Sequence, residues 1–188
     1  GEFVWSGFDY IGEPTPYQTR SCYFGQIDTA GFPKDSYYFW KSNWVSADKD
    51  PFVHVFPYWD FNPGQTVDVR VVSNLPEVEL FINGRSLGRQ ELNHEPGSGY
   101  HLIADWALPY EEGELKAVAF ASVGSGEVKA VCTRHSFGNT DRIVCERYEF
   151  TSTDEPQDIV FYEISAVDKD GYRSEERRVG KECRSRWS

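Results

Sequence analysis

Trp5, Asp9 and Glu13 bring an indole and two carboxylates into one short stretch, Phe3-Val4-Trp5-Ser6-Gly7-Phe8-Asp9-Tyr10-Ile11-Gly12-Glu13-Pro14-Thr15-Pro16-Tyr17. An aromatic face beside hydrogen-bond acceptors is the chemistry of a ligand surface. Phe3-Val4-Trp5 has strand propensity, and Gly7, Gly12, Pro14 and Pro16 forbid a helix and force turns. In a parallel α/β barrel such strand-to-loop junctions build the active site. The plainer reading is a core strand followed by a Pro-rich loop, and composition alone favours it. Other candidates are weaker. Cys132-x-x-His135 is a lone pair of metal-ligand types without a second pair. His54, His94 and His101 alternate with strand residues, which predicts surface or half-buried positions. Trp59 and Trp106 would bind glycans if exposed, but tryptophan is common in sandwich cores.

The elements that must carry these residues change type near Pro51. Ahead of it, Ser36-Tyr37-Tyr38-Phe39-Trp40-Lys41-Ser42 predicts a helix. Pro33 stands where a helix can begin, Asp35 is placed to accept from its first amides, and Phe39, Trp40 and Trp44 form its apolar stripe. Asp48-Lys49-Asp50-Pro51 is a polar break. Beyond it the apolar period becomes two: Val53-His54-Val55-Phe56, Val67-Asp68-Val69-Arg70-Val71 and Val78-Glu79-Leu80-Phe81-Ile82 read as strands. Asn83-Gly84 predicts a tight type I′ hairpin. Residues 101–106, 114–120 and 127–131 continue the series, so the prediction is an antiparallel β-sandwich. A further set, 142–145 and 158–164, is too short for an independent core.

Two of these stretches resemble a known family. Phe3-Val4-Trp5-Ser6-Gly7-Phe8-Asp9-Tyr10, with Gly25-Gln26-Ile27-Asp28-Thr29-Ala30-Gly31-Phe32-Pro33-Lys34-Asp35, is similar to the end of the catalytic barrel in β-galactosidase-type members of glycoside hydrolase family 2. Val78 to Gly88 resembles the signature of the immunoglobulin-like domain that follows that barrel, and His54 to Phe61 its first strand. The resemblance implies a mainly β chain in four parts. These are a (β/α)8 barrel remnant at 1–47, an immunoglobulin-like β-sandwich at 51–138, a truncated second sandwich at 139–172 and a tail at 173–188. It also implies that the family's N-terminal domains precede Gly1.

The same resemblance assigns roles. The family cleaves a terminal sugar with two glutamates, roughly 5–5.5 Å apart in retaining enzymes. Both belong to earlier barrel strands, so no catalytic residue is expected in this chain, and neither Glu2 nor Glu13 substitutes. Trp5 is expected to form the floor of the subsite for the non-reducing sugar, with a cis bond to Ser6. Asp9 would hydrogen-bond the sugar or, preferably, its own loop; Glu13 would line the aglycone side. Tyr10, Tyr17 and Tyr23 would form the rim or pack the loop. Glucuronidase members carry an Asn-x-Lys before the equivalent of Gly25, where this chain has Cys22-Tyr23-Phe24. Without a cation a uronate charge is uncompensated, which points to a neutral sugar such as β-galactose. The other readings are β-mannosidase-like specificity and a non-catalytic carbohydrate-binding or structural sandwich.

Arg173 to Ser188 resembles a translated sequencing adapter and is set aside as non-native. That tail holds six basic and three acidic residues, so without it the net charge moves from -11 to -14. Such an acidic chain repels nucleic acid and anionic membranes. A carbohydrate partner is expected, with no cofactor and no metal; a homo-oligomer is compatible with the sequence. Cys22, Cys132 and Cys145 are too few for a disulfide framework; Cys132 and Cys145 could face each other across neighbouring strands, but free buried thiols are the expectation.

Overall fold

A computed structural model describes residues 3–12, 17, 20–97, 99–149 and 160–174. Its centre is a sandwich of two antiparallel sheets. One has the order β3-β4-β7, from Val53–Phe56, Thr66–Ser73 and Ala104–Pro109; the other has the order β6-β5-β8-β9, from Arg85–Glu91, Glu77–Ile82, Glu114–Phe120 and Val128–His135. The period of two decides which residues meet between them. Val69 and Val71 of β4, Val78, Leu80 and Ile82 of β5, and Leu115, Ala117 and Ala119 of β8 are each at most 1% exposed and form one cluster. Burying a Val, Leu or Ile side chain is worth about 1.5–3 kcal/mol, so this layer dominates the stability of the fold.

The hairpin signal is realised as expected. Ile82 pairs with Arg85 across Asn83 and Gly84, whose φ values of 48° and 78° are those of a type I′ turn. Asn83 does more than turn. Its Oδ1 accepts from the Glu114 amide at 2.8 Å and its Nδ2 donates to the Glu112 carbonyl at 3.0 Å, which ties this turn to the β7–β8 loop.

The segment ahead of the sandwich differs from expectation. Phe3-Val4-Trp5 forms no ladder, and Phe3 is fully exposed. A parallel strand exists only through flanking strands that take up its N–H and C=O groups, and strand propensity alone supplies none. What forms instead is a short antiparallel pair, β1 (Tyr10–Ile11) with β2 (Ser21–Cys22), joined to a Phe8–Ile27 bridge. The helix α1 spans Asp35–Trp44. Its N-cap is Lys34, with no side-chain cap, so Asp35 sits one residue inside the helix rather than capping it. Of the predicted stripe, Phe39 and Trp40 are half-buried while Trp44 is 68% exposed.

α1 is fastened to the sandwich at its far end by Asn74, which follows β4. Asn74 donates to the carbonyls of Val45 and Asp50 at 3.0 and 2.9 Å and accepts from the Phe52 amide at 3.1 Å. Lys41 pairs with Asp50 at 2.7 Å. After the sandwich come β10 (Arg142–Glu149) and β11 (Val160–Val167), an antiparallel ribbon with eight paired positions on each strand. It meets the sandwich through Asp168, which accepts from the amides of Gly138, Asp170 and Tyr172, each at 3.0 Å. Burial opposes charge on Asp168, but the Gly138 amide, followed by those of Tyr172 and Asp170, holds its carboxyl below the usual range.

Candidate functional site

The loop between Trp5 and Lys34 is held by its own backbone. Gly7 O accepts from the amides of Gln26 and Ile27, both at 3.0 Å, and Asp9 N donates to Ile27 O at 2.8 Å. Gly25 lies so close to the opposite strand that a Cβ there would fall 2.1 Å from Asp9 N and 2.2 Å from the Phe8 carbonyl carbon. Only glycine permits that approach. Asp28 closes the next turn, its Oδ1 accepting from the amides of Ala30 and Phe32 at 2.8 and 2.9 Å.

On this frame Trp5 and Asp9 have opposite surroundings. Trp5 is 74% exposed, with its Nε1 donating to the Tyr10 hydroxyl at 3.3 Å, and the Trp5–Ser6 peptide is cis, as expected. The indole face is open to solvent. Asp9 has a side chain only 12% exposed, and its Oδ1 accepts from Gly25 N at 2.8 Å and from Lys34 Nζ at 2.7 Å. Lys34 also donates to the Tyr23 carbonyl at 3.1 Å. This carboxylate staples the two arms of the loop together. Glu13 lies outside the described residues, and Tyr17 and Tyr23 are exposed.

The remaining candidates resolve into structural parts. Trp59 is 1% exposed, packs on Tyr110 at 5.1 Å and donates its N–H to the Glu111 carbonyl at 2.9 Å. Trp106 is half-buried and donates to Leu87 O at 3.3 Å. Neither indole is a free face for a sugar. Cys132 and His135 are an odd number of residues apart on β9, so they point to opposite faces. His135 stacks on Tyr172 at 4.0 Å. The expectation of free buried thiols is met at Cys22 and not at Cys145, which is free but exposed.

The structure also contains a cluster that the sequence reading missed. His54, expected at the surface or half-buried, is 6% exposed. Val53 and Val55 belong to the core cluster, and Asp35 and Tyr38 of α1 lie against the His54 ring between them. Its Nε2 lies 2.8 Å from Asp35 Oδ1, and its ring stacks on Tyr38 at 3.7 Å and 10°. Burial works against the charged ring, but hydrogen bonds with Asp35 and Cys132 outweigh it and the net shift is upward from 6.5. Burial likewise raises the Cys132 thiol, and hydrogen bonds from His54 and Val55 overcome it, for a net fall. A histidine between two strand valines was the available signal. Its partner, nineteen positions upstream, had no sequence mark.

The sandwich and the aromatic loop together define a β-rich module, and comparison with known proteins shows what it is similar to. Residues 64–126 match the family model described as "Domain of unknown function (DUF4982)". Over 124 residues the chain is 47% identical to β-galactosidase BoGH2A of Bacteroides ovatus, a match that takes in 63% of the chain and 13% of that protein. A β-glucuronidase of Formosa agariphila is 30% identical over 96 residues, covering 51% of the chain and 9% of its own length. Among solved structures, a β-glycosidase from Bacteroides vulgatus superimposes with a TM-score of 0.76 at 30% identity, over 92% of the chain and 21% of that protein. A glycosyl hydrolase family 2 member from Bacteroides cellulosilyticus gives 0.74 at 26% identity, over 92% and 26%. The chain is thus similar to part of glycoside hydrolase family 2 proteins and spans about an eighth of the B. ovatus relative.

Proposed function

We propose that the chain is a piece of a retaining, exo-acting hydrolase that removes terminal β-D-galactose from oligo- or polysaccharides. In this reading it divides into a barrel remnant at 1–47, a sandwich at 51–138, the start of a second sandwich at 139–172 and a non-native tail at 173–188. Both catalytic glutamates lie in domains that precede it in the parent polypeptide. The observation that carries the reading is the 47% identity to a protein named as a β-galactosidase. Trp5 supplies the apolar floor on which a pyranose C–H face packs, and its open indole face suits that role. Asp9 acts on the sugar indirectly, by fixing the loop that presents Trp5. Glu13 would face the aglycone.

A glucuronidase specificity is the second reading, favoured by the name of the F. agariphila relative. Two features argue against it. Cys22-Tyr23-Phe24 offers no cation, and Lys34, the nearby ammonium, is already paired with Asp9 at 2.7 Å. Recovery of the longer reading frame and assay of aryl β-galactoside against aryl β-glucuronide separates the two. Preference for the galactoside is expected; preference for the glucuronide would overturn the assignment. The 188-residue chain by itself is expected to hydrolyse neither substrate above the uncatalysed rate.

A further inference from the structure

The cluster around His54 joins the start of α1 to β3. Asp35 and Tyr38 belong to the first turn of α1, whereas His54 belongs to β3 of the sandwich. The hydrogen bond to Asp35 at 2.8 Å and the stacked Tyr38 ring at 3.7 Å both cross this join. The other end of the helix is held by Asn74 and by the Lys41–Asp50 pair, neither of which involves a histidine.

We propose that Asp35, Tyr38 and His54 form a pH-sensitive latch, which presses the first turns of α1 against β3 while His54 carries its proton and slackens when the proton leaves.

The charges around His54 support this direction. From α1 it faces Asp35 and Tyr38; from β9 it faces Cys132, which raises its proton affinity, and Arg134, which lowers it. Lys34, Tyr58, Glu163 and Arg173 line the same cavity. Lys34 is committed to Asp9, and Asp35 is the carboxylate the structure places within hydrogen-bonding distance of the ring, at 2.8 Å. Because the folded state holds the His54 proton more tightly than the unfolded chain, the stabilisation is fully present below the ordinary value of 6.5. It is lost as pH rises through the raised folded value. A neutral ring still donates Nε2–H to Asp35, so the contact weakens rather than disappears. Loosening is confined to the first turns, since the Asn74 end has no titrating histidine.

Amide hydrogen exchange by NMR on the intact 188-residue chain, at about pH 5.5 and about pH 8.5, reads this out. Protection factors, corrected for intrinsic exchange, should fall roughly threefold to tenfold at Phe39 and Trp40 relative to Val45 as pH rises. In Asp35→Asn and in His54→Gln that differential pH dependence should vanish. An equal ratio at both pH values, or an unchanged dependence in Asp35→Asn, overturns the latch. If the variants do not fold, titration of the His54 ring in the unmodified chain decides: a midpoint above 6.5 supports the latch, and one at or below it sinks it.

Discussion

Asp9 shows how a carboxylate can be committed to the shape of its own loop. Its Oδ1 is occupied by Gly25 N and Lys34 Nζ, so its substitution acts on loop shape. In the longer parent protein, Trp5→Ala is expected to remove a stacking platform and Asp9→Asn to release the loop that carries it. Loss of the platform should appear chiefly as a raised KM, since an apolar floor binds the ground and transition states alike. An unchanged KM for Trp5→Ala would remove Trp5 from the subsite. Asn83 offers a cleaner test in the chain itself. Asn83→Ala forfeits two hydrogen bonds and places a Cβ residue without local side-chain support at a φ of 48°. A loss of about 1 kcal/mol in urea-unfolding stability is expected. Asn83→Gly keeps the φ preference and should cost less; equal losses would show that backbone conformation plays no part.

At the scale of elements, stability is concentrated in the sandwich. Leu80 of β5 is fully buried, whereas Ile143 of β10 is 71% exposed. Leu80→Ala should therefore cost about 2–5 kcal/mol, and Ile143→Ala should fall within about 0.5 kcal/mol of no change, both measured by urea unfolding. Similar losses at the two positions would mean that the ribbon packs as tightly as the core. The elements also explain what could be read in advance. The Asn83-Gly84 hairpin and the alternating strands of 66–82 were legible because turn chemistry and period two act within a few residues. Phe3-Val4-Trp5 has the propensity of a strand but forms no ladder, because a ladder depends on partners that propensity does not specify. Trp59 was ambiguous for the same reason: burial on Tyr110 and a donor contact to Glu111 are set by residues some fifty positions away. Likewise, the apolar neighbours of His54 predicted its strand, but only the packing of α1 determined what lay on its outer face.

For the whole molecule, exposed aromatic area and buried core occupy different regions. Phe3, Trp5, Phe8, Tyr17 and Tyr23 are each more than half exposed and all precede α1, while the cluster from Val53 to Ala119 is closed to solvent. A chain limited to residues 51–138 is accordingly expected to unfold in one cooperative step, seen as coincident fluorescence and circular-dichroism transitions. Non-coincident transitions would show that the sandwich depends on the segments around it. The ligand-facing role proposed for Trp5 falls in the exposed aromatic region. Family resemblance was therefore more informative there than hydrophobic pattern.

The β10–β11 ribbon has a consequence for handling the protein. Each strand uses one side for its partner, and among the described residues no third strand continues the ladder. Ile143, Phe161 and Ile164 are exposed on it. Long, unpaired edges with apolar side chains recruit further strands, and the chain's net charge of -11 opposes that contact between copies. Added salt screens such repulsion, so high ionic strength should bring this protein out of solution sooner than low.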